Sequence, residues 1–391
     1  MIPTRHISQG STAFSSYWKN PNSYLSTLLS KTINITQAQK YVPYYFDVDT
    51  LGDAVAQEYL VGFGFSEGIG KLHQIIASYP KNVHTYSETT QRFLEQIFTI
   101  PQWLNTNLLE AGSNFCNRTG TSGLATLRNY CLMGGYESAA INKPLIFTEA
   151  LKKGAVKRLS DTVVFWINVT SNNQLQLKQK GFYSAITTRL IHSYSRIMIL
   201  NDPNWDVNAW GKPLNAWDMQ ATNLGFSIAF IDGLKKLNFK PTQQEIDGTL
   251  HLWKYVGYLI GIPEQLLVDT QQQAADSLYL WSKTQQGADE DSVALAYALY
   301  TEPKTVRFTN STLLKNFVYT TNLGYNLEML GLNTCKQLQI PETKAVYWIG
   351  FLKFMTKLTE KLTLNFKFIY RKMVKKGFKE QIHVQSLYRN D

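Results

Sequence analysis

From residue 155 to 283 the chain carries five successive segments of helical period, 155–169, 177–200, 216–237, 243–261 and 264–283, with no strand-like alternation among them. Their ends are chemically marked. Thr242 and Glu245 have the spacing of a capping box, in which hydroxyl and carboxylate satisfy first-turn amides reciprocally. Gly261-Ile262-Pro263 supplies a helix stop followed by a residue that cannot continue the helix. Gly211-Lys212-Pro213 makes a turn between the second and third segments. A chain patterned in this way buries its apolar faces helix on helix, so one large all-α helical bundle is predicted.

The flanking regions are less regular. Residues 51–78 read as helical with an interruption at Gly62–Gly64, and 84–108 as helical up to a break at Pro101. Five glycines within 111–136 predict tight turns and close packing near a pocket. A short helix is expected over 288–300, and another from about Glu342. The organisation expected is an irregular lead-in over 1–50, a helical domain over 51–350, and a basic C-terminal helix and tail over 351–391. Hydrophobic residues make up 44% of the 391, enough for a substantial core, so wholesale disorder is excluded.

Cys116, Cys131 and Cys335 are odd in number and lack CxxC spacing, which argues against a disulfide framework. The first residues hold no continuous apolar stretch of the secretory type, and no window reads as a membrane span. A cytoplasmic setting is therefore expected, and the Asn-x-Ser/Thr matches at Asn34, Asn117, Asn168 and Asn310 read as chance.

Six histidines, at 6, 73, 84, 192, 251 and 383, form no HExxH and no zinc-like spacing with cysteines. Neither GxGxxG nor GxxxxGK[ST] occurs, which argues against nucleotide-dependent chemistry. The GxSxG string Gly64–Gly68 lies in helical surroundings, whereas a nucleophile elbow needs a strand before its serine, so it reads as chance. His192 stands out because Arg189, three residues before it, and Arg196, four after it, share its helical face among apolar neighbours. Arg158 and Thr162 form a similar i, i+4 polar stripe one helix earlier. Two readings are open. In one, Arg158 and Arg189 hold interhelical ion pairs and His192 is a satisfied core histidine. In the other, the imidazole is the axial ligand of a haem, with guanidinium groups near the propionates or bound dioxygen.

The Arg158-xxx-Thr162 element, the Arg189-Leu-Ile-His192 element, the string GKPLNAWDMQATNLGFSIAFIDGLKKL and the following HLWKYVGYLIGIPEQLL together resemble the catalytic domain of latex-clearing rubber oxygenases and mpaB-type oxygenases. The resemblance covers about 150–270. It implies a haem b, bound non-covalently, with His192 as proximal iron ligand and Arg189 and Arg196 beside the cofactor. It further implies that Arg158 and Thr162 orient dioxygen and substrate, and that the reaction is oxidative cleavage of a C=C bond in an apolar isoprenoid or lipid. The sequence departs from the family at Asp161, where rubber oxygenases have a lysine. The family's catalytic glutamate should lie upstream of Arg158, where Glu149 and Glu137 are nearest. His251, Asp218, Asn215 and the tryptophans at 205, 210 and 217 read as packing, capping or scaffold residues. The alternative function is a non-catalytic haem- or lipid-binding helical protein at a membrane surface.

The net charge is +10, but residues 351–391 hold ten Lys/Arg against three acids and so carry +7 of it. Phe351, Met355, Leu358, Leu362, Phe366, Ile369 and Met373 recur every three or four positions, beside an offset line of Lys353, Lys357 and Lys361. This is a basic amphipathic helix. It fits peripheral contact with anionic lipid through residues 351–379, or packing on the bundle with its lysines in solvent. Nucleic-acid binding is not expected, because the aromatics lie on the apolar stripe and do not interleave as stacking platforms.

Overall fold

The computed structural model describes residues 1–148 and 154–388, and among these there are helices and loops but no strand. The fold is all-α, as the periodicity predicts. In chain order the principal helices are α1 (Thr50–Ala56), α2 (Phe65–Ser78), α3 (Glu88–Phe98), α4 (Thr106–Arg118), α5 (Gly120–Thr126), α6 (Ala139–Phe147), α7 (Gly154–Thr170) and α8 (Lys180–Leu200). They continue with α9 (Ala216–Leu224), α10 (Phe230–Lys236), α11 (Gln243–Leu259), α12 (Gln271–Ser282), α13 (Glu290–Thr305), α14 (Thr312–Gln337), α15 (Val346–Asn365) and α16 (Lys367–Tyr388). Wide π-type turns at Gln57–Val61, Leu127–Leu132 and Gly225–Ala229 follow α1, α5 and α9.

The capping signals act as predicted. Thr242 and Glu245 form the full box at the start of α11, and Gly261 takes φ +84° after its end. The segment 264–283 differs from expectation. It divides into a short 3-10 turn, Glu264–Leu266, and α12, whose start is fixed by a second box between Thr270 and Gln273. The glycines of 111–136 also do something else: most of that region is helical, and the missing side chains let helices touch. A Cβ on Gly112 would lie 2.3 Å from the Gly248 carbonyl oxygen, so α4 and α11 cross backbone to backbone. Beside this crossing, Trp166 of α7, Phe226 and Trp253 of α11 form an aromatic cluster, with ring centres of Phe226 and Trp253 4.6 Å apart.

Both ends of the chain are tied into this core. Arg5, in the irregular lead-in, is fully buried and donates to both Asp218 oxygens at 2.6 and 2.9 Å and to Gln285 at 2.6 Å. At the other end the basic segment is two helices, parted where Phe366 leaves helical geometry. Arg118 of α4 donates to Glu245 of α11 at 2.6 Å and to Glu360 of α15 at 2.5 Å, all three side chains buried. Tyr370 of α16 adds a hydroxyl to Glu245 at 3.0 Å. Gln381 of α16 donates to the Cys116 carbonyl at 2.9 Å and accepts from the Trp166 indole at 3.2 Å.

Candidate active site

The expected face of α8 is present, and the structure shows what it meets. Arg189 donates through Nε and Nη2 to Asp49 at 2.5 and 2.7 Å and through Nη2 to Gln96 at 2.8 Å. Arg196 grips Asp53 through Nε and Nη2, at 2.7 to 3.0 Å, and gives Nη1 to the Leu214 carbonyl at 2.7 Å. Asp49 caps α1, accepting the Gly52 amide, and Asp53 lies one turn further along the same helix. Burial by itself would raise the Asp49 carboxyl, but Arg189 beside it wins and holds it below its ordinary value.

His192 lies between these two ion pairs. Its Nδ1 is buried without a hydrogen-bond partner. Burial first, and then the Arg196 charge, push the imidazole down to about 4, against a smaller opposing effect of Asp49. The ring is therefore neutral at physiological pH, the form in which imidazole binds a metal. Of the two readings open from sequence, the ion-pair half describes Arg189, which bridges α8 and Asp49. The satisfied-histidine half does not describe His192.

A closed space of about 10 Å³ adjoins His192, walled by Asp49, Arg189, Arg196, Leu214, Met219 and the turn at 260–262. Gly261 closes it at positive φ. A Cβ there would stand 2.5 Å from Asp49 Oδ2 and 2.8 Å from Arg189 Nε. This glycine thus ends α11 and also leaves room for the buried ion pair. A larger open groove, about 450 Å³, runs past Tyr79, Phe98, Thr99 and Leu177 and shares no lining residue with the His192 space.

Arg158 and Thr162 lie together on α7, but no residue of α7 lines the His192 space. Arg158 is half-buried and donates to the Tyr136 hydroxyl, while the Thr162 hydroxyl donates back to the Arg158 carbonyl at 2.8 Å. Asp161 is exposed and pairs with Lys157 at 3.1 Å. Of the two upstream carboxylates, Glu149 lies outside the described residues. Glu137 is fully buried: its Oε2 accepts the Phe14 amide at 3.1 Å and its Oε1 has no partner. Burial pushes its carboxyl up to about 7. Among the described residues Glu137 and Arg158 share no hydrogen-bond partner. His251 accepts the Asn105 amide through Nε2 at 2.8 Å, and Asn215 caps α9, so both are scaffold residues.

Sequence reasoning missed Asp49 and Asp53, whose partners are 140 and 143 positions away. The local signal was Asp49 immediately before an apolar helical run, which marks an N-cap and nothing more.

The matching family model spans residues 126–358, more than half of the chain, and carries the description ER-bound oxygenase mpaB/B'/Rubber oxygenase, catalytic domain. The chain belongs to this oxygenase family. Its fold is similar to that described in "Structure of Latex Clearing Protein LCP in the closed state", with a TM-score of 0.61 and 15% identity over 85% of this chain and 91% of that one. No curated protein matches it by sequence.

The resemblance implies haem, and the donor chemistry at His192 fits one. Among the described residues no group of three or more His, Cys, Asp or Glu could hold a metal. Haem iron needs only one axial protein ligand, and a neutral imidazole with an unpartnered buried nitrogen is suited to the role. The adjoining space of about 10 Å³ is far smaller than a porphyrin macrocycle.

Proposed function

We propose that the chain is a haem b-dependent oxygenase that uses dioxygen on an apolar isoprenoid or lipid substrate and cleaves a C=C bond oxidatively. The observation that carries this reading is His192, uncharged and half-buried, with its buried Nδ1 left without a partner between two neutralised arginines. Haem held there would supply the iron that activates dioxygen. The chain's own residues orient and insulate. His192 offers a neutral donor. Arg189 and Arg196, with most donors already given to Asp49, Asp53, Gln96 and Leu214, fix α8 against α1 and so aim the imidazole. Arg158, tethered by Tyr136, and Thr162 remain the proposed groups for steering dioxygen and substrate by charge and hydrogen bond. A peripheral membrane contact through residues 351–379 is part of the reading, because it brings the chain to lipid-dissolved substrate.

One observation favours the non-catalytic alternative: α7 contributes nothing to the space beside His192. Spectroscopy and oxygen uptake separate the two. The purified protein supplied with haem is expected to show a Soret band that collapses in His192→Ala and survives in Arg158→Ala. A missing band, or one indifferent to His192, overturns the haem site. Haem binding without oxygen uptake or carbonyl products across an isoprenoid panel establishes the binder.

A further inference from the structure

Helix α15 turns Ile349, Glu360 and Thr363 to the protein, with Leu352 half-buried beside them, and leaves most of its large apolar side chains in solvent. Phe351, Phe354, Met355, Leu358 and Leu362 fall at i, i+3, i+4, i+7 and i+11, one continuous stripe. Phe351, Phe354 and Leu362 are 50%, 56% and 51% exposed, whereas Glu360 is 3% exposed. Glu360 is held inside by Arg118 and by the Lys240 amide at 2.8 Å. Since that buried carboxylate sets the helix's rotation, the apolar face cannot roll inward without breaking the pair.

The stripe continues beyond its own helix. Phe317 of α14 meets Trp348 with ring centres 6.3 Å apart, and Trp348 stacks on Phe351 at 5.3 Å. Leu313, one turn before Phe317, is 83% exposed. Residues 343–365, which carry this face, contain four lysines and a single acid, Glu360, which Arg118 already occupies. Lys357 and Lys361 are exposed and border the stripe. Lys353 is already paired with Glu328. No helix among the described residues is long and apolar enough to cross a membrane.

We propose that the exposed face of α15, extended by the start of α14, lies on a bilayer bearing anionic headgroups. Its aromatic and aliphatic side chains enter the interface and its lysines meet the headgroups. A second copy of the chain is the poorer occupant, because two such faces would bring like charges together. This proposal rests on the peripheral-contact reading and changes where it falls. The face belongs to α15 and α14, while α16 is docked on the bundle: a Cβ on Gly377 would lie 2.2 Å from the Asn117 carbonyl oxygen.

The test is co-sedimentation of the full chain with phosphatidylcholine vesicles, with and without phosphatidylserine. Binding is expected only where phosphatidylserine is present. Lys357→Gln with Lys361→Gln should weaken it by roughly twenty-five-fold at low salt, about fivefold for each lysine at ~1 kcal/mol. Phe351→Ser with Phe354→Ser should weaken it at least about tenfold, and Lys31→Gln should leave it unchanged. All five side chains are exposed, so thermal unfolding should not move. No binding to either vesicle overturns the peripheral-contact reading together with this surface. Anionic binding that survives both double substitutions overturns the surface alone. A solution dimer that Phe351→Ser with Phe354→Ser dissociates overturns the lipid assignment in favour of a second copy.

Discussion

Replacing Glu137 with glutamine should stabilise the protein in neutral and alkaline solution and leave it unchanged in acid. The carboxyl is wholly buried, it forms no ion pair among the described residues, and one of its oxygens has no partner. The Phe14 amide donates to the other oxygen at 3.1 Å, and the Thr334 hydroxyl favours the carboxylate without making a well-formed bond. These do not outweigh burial, which lifts the carboxyl from 4.5 to about 7. Between those two values the native chain keeps a proton that the unfolded chain has released. Unfolding free energy therefore falls as pH rises through this window and is level above it, the reverse of a salt-bridged carboxylate. At ~1.4 kcal/mol per pH unit, a window from 4.5 to about 7 amounts to ~3 kcal/mol. Glutamine removes the ionisation and keeps an oxygen for the Phe14 amide. Urea unfolding of both proteins should give curves within about 0.5 kcal/mol of each other in acid, near pH 4. The variant should be more stable by up to ~3 kcal/mol near pH 8. A difference that stays constant with pH, or a variant less stable near pH 8, would refute the assignment of a lone buried acid.

Asp49→Asn keeps a competent N-cap for α1 but removes the charge that neutralises Arg189. It should lower unfolding free energy by about 3–5 kcal/mol in urea, and a loss below ~1 kcal/mol would mean that the pair is not what holds α8. Gly261→Ala meets both positive φ and the Asp49–Arg189 contact, so its thermal midpoint should fall, with at least ~1–2 kcal/mol from the backbone alone. Gly350→Ala, in open space at ordinary φ inside α15, should instead be neutral or slightly stabilising.

How much of this was legible depended on how far apart the interacting residues lie. The capping box at Thr242 and the stop at Gly261 are local, and sequence reads them correctly. The shared face of Arg189, His192 and Arg196 follows from helical spacing alone. Their partners do not, because Asp49 and Asp53 sit on another helix and nothing in their own surroundings announces a guanidinium. Arg5 is a plainer case: one charge in a stretch without period, it meets Asp218 only after 213 residues. The glycines of 111–136 suggest turns because glycine favours them, yet Gly112 is needed for the absence of a Cβ at a helix crossing. In α15 the stripe is visible from sequence, but periodicity cannot say which side faces the protein. That side is chosen by Glu360, whose partner lies 242 positions away.

The clamp on Arg118 also makes the chain's integrity a condition of its interior. Its two carboxylates come from mid-chain and from near the C-terminus, so during synthesis the second arrives only after α15 has emerged. A protein clipped at residue 350 would leave this guanidinium half-compensated, and Trp166 and the Cys116 carbonyl without Gln381. Proteolytic removal of the last forty or so residues should accordingly register as loosening deep inside α4, α7 and α11, and trimming is a poor way to obtain a smaller soluble version.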